Sequence, residues 1–186
     1  MADDFGPEGR CYTEAVMLSR FLADVRRNHA LEHATVSLLL GRVGPDLRVA
    51  GRASGDGFFL YADAPQALLT ECVNEALTRL QRGEAFWAVT PHCGTNIATA
   101  GILAGLGSAI ALGNGKRSER IGGAMIASMA AIVISQPVGR WIQKYVTTSP
   151  DLEGVEVVAI ETKNERFYKV RTRRTVAPIA AAGLVA

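Results

Sequence analysis

The sequence predicts an α+β protein into which a pair of apolar helices is inserted. Two helical patterns, two pairs of β-forming runs and two long charge-free segments support this fold class. The 186 residues carry 20 basic and 18 acidic side chains, and only 6% of them are aromatic. Because this composition offers neither a basic surface nor a base-stacking surface, we expect no nucleic-acid partner.

The first helical pattern covers residues 12–40, which contain no Gly or Pro. The positions that recur at helical spacing are Leu18, Leu22, Val25, His29, His33, Val36 and Leu40. One long helix, or two helices with a break at Asn28, fits this pattern. Gly41 and Gly44 are expected to end it. Residues 1–11 are expected to form a flexible leader.

A β-hairpin and a second helix are expected to follow. The β-like runs 47–51 and 57–61 are separated by a linker, 52–56, that contains turn-forming residues. Asp63 precedes Ala64-Pro65 and is the expected N-cap of an amphipathic helix that continues to about residue 82.

Two further β-like regions complete the expected secondary structure. Residues 86–89 suggest a short strand, and 155–163 with 166–173 suggest a second β-hairpin near the C-terminus.

Two long segments, 94–113 and 121–139, contain no charged residue. Each is about as long as a helix that crosses the hydrocarbon layer, and Gly101-x-x-x-Gly105 is a pattern that lets helices approach closely. A two-span membrane hairpin is expected, and a buried glycine-rich helix pair is the alternative. The resulting domains are a leader (1–11), a head (12–93 and 150–174), a hairpin (94–145) and a tail (175–186).

The expected location is the cell inner membrane, in contact with lipid through two spans. An even number of spans places the N-terminal and C-terminal parts of the head on the same side. The start has no basic and apolar signal pattern, and the odd number of cysteines, three, suggests a reducing compartment. Both observations favour a cytoplasmic head, whereas the basic loop between the two segments, with Lys116, Arg117 and Arg120, would instead favour a cytoplasmic position for that loop.

His29 and His33 are four residues apart, so a helix would place both rings on one face, where they can bind one metal ion. Glu32 is adjacent to His33 and is a candidate catalytic base for a water molecule. It could instead fix a histidine tautomer. The alternative without a metal is a pair of buried histidines that Glu32 satisfies by hydrogen bonding.

The segment 91–96, Pro-His-Cys-Gly-Thr-Asn, supplies a third candidate metal ligand, Cys93. Two histidines and a cysteine with one open position suit a catalytic zinc site, whereas a fourth ligand, His92 or Glu32, would make it structural. His92 and Asn96 are candidates for an additional ligand or for supporting hydrogen bonds. A dyad of Cys93 as nucleophile and His33 as base is also open.

Residues 29–33, H-x-x-E-H, resemble the inverzincin signature of pitrilysin-type metallopeptidases. The resemblance implies that His29 and His33 bind zinc and that Glu32 activates water. The third ligand of those peptidases is a downstream glutamate, for which Glu71 and Glu75 are available by position.

Four longer motifs follow one another along the chain. They are HALEHAT (29–35), GR-x-S-x-x-GF (51–58), an amphipathic helix ending in GE (64–84) and CGTN (93–96). Over most of residues 28–140 the chain therefore resembles an uncharacterised family of small bacterial two-span membrane proteins. The resemblance implies a membrane location and no assigned activity.

Three kinds of function remain open from the sequence. The first is a membrane-anchored zinc protein that acts as a hydrolase. The second is a non-enzymatic accessory or assembly subunit that binds a larger membrane complex or forms a homo-oligomer. The third is a transporter or channel subunit, which is disfavoured because neither span contains an ionisable residue.

Overall fold

The structure is a computed structural model that describes residues 7–113 and 117–175. It confirms a small α+β fold with two long apolar helices. The helices are α1 (Pro7–Val43), α2 (Gln66–Gln81), α3 (Gly94–Leu112) and α4 (Arg117–Ile142), with a 3-10 turn (Ala85–Ala88) and a π-helical turn (Gln143–Thr147). The strands are β1 (Val49–Ser54), β2 (Gly57–Ala62), β3 (Val155–Asn164) and β4 (Phe167–Arg174).

The four strands form one antiparallel sheet in the order β1-β2-β4-β3. Both predicted hairpins are present, and β4 joins them by pairing with β2. The turn before Gly57 is confirmed, but β1 extends to Ser54, so the expected linker 52–56 is wrong for residues 52–54. Gly57 has a φ of +135°, and a side chain there would overlap the Val170 carbonyl. The turn therefore requires glycine.

Helices α1 and α2 pack together and contact the sheet, and the core lies among these elements. Its largest apolar side chains, all at most 1% exposed, are Phe58, Leu31, Leu39, Leu60, Leu69, Leu152, Val73 and Val170. Burying aliphatic and aromatic groups of this size contributes about 1.5–3 kcal/mol for each side chain. The two amphipathic helices predicted from the sequence are thus the elements that close the core.

Helix α1 is continuous, which confirms the one-helix alternative. The Asn28 side chain lies inside the fold, where it donates to the Ser54 and Gly55 carbonyls and accepts from the Thr172 hydroxyl. It therefore joins α1 to both hairpins instead of capping a second helix. The helix ends before Gly44, whose φ is +112°, and it passes through Gly41.

Three expectations about local structure are corrected. Pro65, not Asp63, is the N-cap of α2, and no side chain caps that end. Residues 85–88 form a 3-10 turn where a strand at 86–89 was expected. Helix α1 begins at Pro7, inside the expected leader. Residues 1–6 and the expected tail, apart from Thr175, lie outside the described residues.

Helices α3 and α4 form an antiparallel pair that is long and apolar enough to cross a membrane. The hydroxyls of Ser108 and Ser128 are 2.7 Å apart between the two helices, and a Cβ on Gly107 would lie 3.5 Å from Ala127. Gly101 and Gly105 have no described atom within 4 Å of the position that a Cβ would take. The close approach of the helices therefore uses Gly107 and not the predicted Gly101-x-x-x-Gly105 pattern.

Candidate functional site

The rings of His29 and His33 lie on consecutive turns of α1, with centroids 4.2 Å apart. His29 Nδ1 donates to the Thr147 carbonyl at 3.0 Å, and His33 Nδ1 donates to the Ala88 carbonyl at 2.7 Å. In the neutral form of each ring, an Nδ1–H donor leaves the lone pair on Nε2. This arrangement, with Nδ1–H held by a carbonyl, is typical of histidines that bind a metal.

Cys93 is the N-cap of α3, and its Sγ accepts a hydrogen bond from the Thr95 N–H at 3.3 Å. The same sulfur lies 3.6 Å from His29 Nε2. One ligand atom from each of His29, His33 and Cys93 lies within 4.8 Å of the other two. The fold therefore brings together the three residues that the sequence analysis selected as metal ligands.

One distance in this group can be compared with that in a zinc site. In a tetrahedral site with Zn–S near 2.3 Å and Zn–N near 2.0–2.1 Å, sulfur and nitrogen are separated by about 3.5 Å. The observed Sγ–Nε2 distance is 3.6 Å. His33 Nε2 is buried and has no hydrogen-bond partner among the described residues. A buried nitrogen without a partner is costly, and a metal ion would satisfy it.

Glu32 lies beside the three ligand candidates but does not belong to their group. Its side chain is buried, and its Oε2 atom finds no hydrogen-bond partner in the described part of the chain. A side chain on Gly51 would overlap the carboxyl group, so the glycine in β1 leaves the space that Glu32 occupies. Burial raises the pKa of Glu32 to about 6, against the opposing effect of His29 and His33. A carboxyl group with this pKa suits general-base catalysis near neutral pH.

The thiol of Cys93 is acidic in this environment. Burial acts to raise its pKa, but interactions with His29, His33 and the Thr95 N–H outweigh it and lower the pKa to about 5. Burial also acts to lower the pKa of His29, yet its contacts with Cys93 and the Thr147 carbonyl leave that pKa raised. At neutral pH the sulfur is therefore a thiolate, which is the form that binds metals or acts as a nucleophile.

His92 and Asn96 occupy different places from the three converging residues. His92 is exposed and lines the cavity beside the site. The Asn96 amide donates to the Thr90 and Pro91 carbonyls, and its Oδ1 accepts from Gln143 Nε2 at 2.8 Å. Asn96 therefore holds the loop that carries Cys93, and its side-chain atoms are engaged there.

The end of α4 supplies site groups that the sequence analysis missed. The π-helical turn positions the Thr147 carbonyl against His29, and Gln143 Oε1 accepts from the Thr90 N–H at 3.0 Å. Gly139 lies against Asn96 with no room for a side chain. Backbone carbonyls have no sequence signature, whereas a polar Gln143 at the end of an apolar segment was a signal that could have been followed.

A cavity of about 1010 Å³ opens beside the site between α1, β1 and the segment 90–97. Apart from the site residues its lining is largely aliphatic, and the apolar members include Val25, Val36, Leu40, Leu47, Val49 and Ile97. A site that combines a few polar groups with apolar walls is the usual form of a small-molecule or peptide binding site.

The fold and the site define a small α+β protein with an apolar helical hairpin and a His-His-Cys cluster at its base. The chain belongs to the family described as "Domain of unknown function (DUF6391)", which matches residues 24–160. It is 34% identical over 140 residues to an uncharacterized protein of Picosynechococcus, a match that covers 70% of this chain and 68% of that relative. No solved structure matches the chain.

These matches confirm the predicted resemblance to an uncharacterised family. They do not confirm the inverzincin resemblance of residues 29–33. The matched region contains the complete His29, His33 and Cys93 cluster and both apolar helices.

Proposed function

We propose that the protein is a membrane-anchored zinc protein whose hairpin spans the bacterial inner membrane and whose head lies on the cytoplasmic side. Both helices are long and apolar enough to span a membrane, and only 11% of the residues in the most apolar stretch of each are buried inside the fold. A core helix of a soluble protein is mostly buried, so this exposure favours contact with lipid. Trp141, Lys144 and Tyr145 at the end of α4 are residues typical of a membrane interface.

The single observation that supports a metal centre is the convergence of the three ligand atoms of His29, His33 and Cys93. Both histidines are oriented by carbonyl acceptors, and the thiolate accepts a backbone N–H. Nitrogen and thiolate ligands in this number suit zinc better than magnesium or calcium, which prefer oxygen ligands.

The proposed activity is hydrolysis. A zinc ion held by His29, His33 and Cys93 would supply Lewis acidity to a substrate carbonyl. Glu32, which lies beside these three residues, would accept the proton of an attacking water. The Thr147 and Ala88 carbonyls would hold the histidine rings in place during the reaction. The cavity would bind the substrate in contact with these groups.

Metal analysis of the purified protein tests the centre. We expect about one zinc per chain in the native protein and a loss of at least about tenfold in His29→Ala, His33→Ala and Cys93→Ser. His92→Ala is the matched control, because His92 lies outside the converging group, and it should retain zinc. Full zinc content in all three ligand variants would contradict the proposal.

A second candidate function is that of an accessory or assembly subunit in which the metal is structural. The observation that favours it is the open surface at Gly101 and Gly105, where no described atom lies within 4 Å of an added Cβ. Small residues on a membrane helix permit close packing against another helix. Gly101→Leu with Gly105→Leu should then reduce the molecular mass of the complex in mild detergent, while zinc content stays unchanged.

A further inference from the structure

Strand β1 is an edge strand, and it lines the cavity that contains the candidate site. Among the described residues its only partner in the sheet is β2. The N–H of Asp63, directly after β2, donates to the Arg48 carbonyl, and Gly57 of β2 pairs with Ser54 across the turn. In an antiparallel pair, the hydrogen bonds fall on every second residue. The residues that bond to β2 are therefore Arg48, Ala50, Arg52 and Ser54.

The backbone groups of Val49, Gly51 and Ala53 consequently point away from β2, towards the open edge. The pairing of β2 with β4 supports this alternation, because Ala62 N–H donates to Arg166 and Asp56 accepts from Thr172 N–H. The even-numbered residues of β2 thus bond to β4 and the odd-numbered ones to β1. Among residues 7–113 and 117–175, no strand continues the sheet beyond β1.

The open edge borders the cavity that contains the site, because residues 49–53 of β1 all line that cavity. Glu32 lies against the sheet face at Gly51, where an added Cβ would meet its carboxyl group. Side chains of α1 and the first turn of α3, including Val25, Val36 and Ile97, form the apolar wall of the same cavity. A group that pairs along β1 would therefore lie in the same cavity as Glu32 and the His-His-Cys cluster.

We propose that the cavity binds an extended polypeptide segment as an additional strand on β1, so that the substrate of the proposed hydrolase is a peptide bond. This inference rests on the proposed function. Donors and acceptors repeated at every second residue match an extended peptide and offer nothing specific to an acyl chain. The distance from Val49 to Ala53 is about 13 Å, which accommodates about five residues of an added strand.

The reaction balances as an ordinary hydrolysis. The hydroxyl of water is added to the carbonyl carbon, and the carbon–nitrogen bond breaks. The water proton passes through Glu32 to the departing amine nitrogen. The products are a carboxylic acid and an amine, which exchange a proton at neutral pH to give a carboxylate and an ammonium group, and no oxidant, reductant or further co-reactant is required.

The test uses the full-length protein as purified in detergent and a fluorescein-labelled heptapeptide, Lys-Ala-Val-Thr-Val-Ala-Lys, measured by fluorescence anisotropy. Two versions of the probe carry N-methyl groups on alternate amides. In one version the methylated amides lie along one edge of the strand, and in the other they lie along the opposite edge. We expect one version to bind about tenfold more weakly than the unmodified peptide and the other to bind nearly as well. Equal affinities for the two methylated versions would overturn the proposal.

A variant pair in β1 gives a second readout. Val49→Pro removes an outward N–H at the first residue of an edge strand, where proline is tolerated, and Val49→Ala removes the same packing but keeps the N–H. Peptide affinity should fall about tenfold in the proline variant relative to the alanine variant. Equal affinities, or displacement of the probe by phosphatidylglycerol vesicles, would overturn the proposal.

Zinc content measured on the same samples separates the two proposals. If the two methylated probes bind with different affinities to protein that contains no zinc, the result would support the strand site and contradict the metal centre. If the protein contains one zinc per chain but binds the two methylated probes equally well, the result would contradict the strand site only. Cleavage of the probe, detected by mass spectrometry, would support both.

Discussion

Cys93 Sγ lies 3.6 Å from His29 Nε2, although 64 residues separate the two in the chain. The contact joins α1 to the first residue before α3, and the hydrogen bond from His29 to the Thr147 carbonyl joins α1 to the end of α4. Both ends of the apolar hairpin that lie next to the head therefore meet at the candidate metal centre. Substitutions in this centre should therefore affect the structure of the hairpin as well as that of the head.

Glu32→Gln should separate metal binding from catalysis. The amide retains the shape of the side chain but cannot accept a proton from water, so hydrolysis of a peptide probe should fall by about 10²–10⁴-fold. Zinc content should remain that of the native protein, because Glu32 lies outside the converging group. Glu71→Gln is the control, since Glu71 bonds to Arg42 on the surface. Native activity in Glu32→Gln would exclude its role as the base.

Gly51→Ala should displace Glu32 without unfolding the protein. A Cβ at residue 51 would overlap the carboxyl group, which can move because it ends a flexible side chain. We expect loss of hydrolysis in the same direction as for Glu32→Gln. Gly41→Ala is the matched control, because no described atom lies within 4 Å of its added Cβ. That change should stabilise α1 by about 0.5–1 kcal/mol in thermal unfolding and leave hydrolysis unchanged.

Gln143→Leu should destabilise the loop that carries Cys93. The change removes the partners of the Thr90 N–H and of Asn96 Oδ1, both of them buried bonds. Each unsatisfied group costs about 1–3 kcal/mol, and thermal unfolding in detergent would detect the loss. Gln136→Leu in α4 is the control, because Gln136 is exposed. Equal unfolding temperatures for the two variants would contradict this assignment.

Asp56→Asn should destabilise the sheet in a pH-dependent manner. Lys169 is only 2% exposed, and its Nζ lies 2.7 Å from Asp56 Oδ1 and 4.1 Å from the centre of the Phe59 ring. The hydrogen bonds from Lys169 and Ser54 lower the pKa of Asp56. Because the Asp56 side chain is 57% exposed and solvent screens its ion pair, we expect a cost of about 1 kcal/mol at pH 7.

The sign of the pH dependence follows from the lowered pKa. The contribution of Asp56 is fully present above its unfolded pKa of about 3.9 and is lost as the pH falls through the lower folded pKa. The difference in unfolding temperature between native protein and Asp56→Asn should therefore shrink below about pH 4. Asp46→Asn, at an exposed position, should show no such difference.

Membrane topology is tested with reporters in a Gram-negative bacterial host. A green fluorescent protein at the C-terminus should fluoresce, since this fold acquires fluorescence in the cytoplasm. Alkaline phosphatase inserted at residues 114–116, between the two helices, should be active in the periplasm. The opposite pattern would reverse the orientation, and release of the protein by alkaline carbonate would contradict the two spans.

The parts of the fold that the sequence predicted are those with local signals. The 3.6-residue periodicity of α1 and α2, the two hairpins and the two charge-free segments all depend on neighbouring residues. Segment 86–89 was misassigned because its short apolar run fits a strand or a 3-10 turn equally well. The β2–β4 pairing joins residues more than 100 positions apart, for which no local pattern exists.

The candidate metal ligands could be chosen from the sequence, but the groups that hold their side chains in place could not. The spacing of His29 and His33 and the choice of Cys93 came from residue chemistry, and the fold brings all three together. The carbonyls of Ala88 and Thr147 could not be anticipated, because every residue has a carbonyl. The hydrogen bond from Gln143 to Asn96 depends on the packing of α3 against the end of α4. Both His92 and Cys93 are residue types that bind metals, but His92 is exposed on the loop and Cys93 is buried, a difference that the sequence does not reveal.

X-ray absorption at the zinc edge of the purified full-length protein tests the central claim most directly. We predict one sulfur at about 2.3 Å and two or three nitrogen or oxygen neighbours at about 2.0–2.1 Å, with the sulfur contribution absent in Cys93→Ser. A protein that contains no zinc, or whose zinc has only oxygen neighbours and is unaffected by Cys93→Ser, would contradict it.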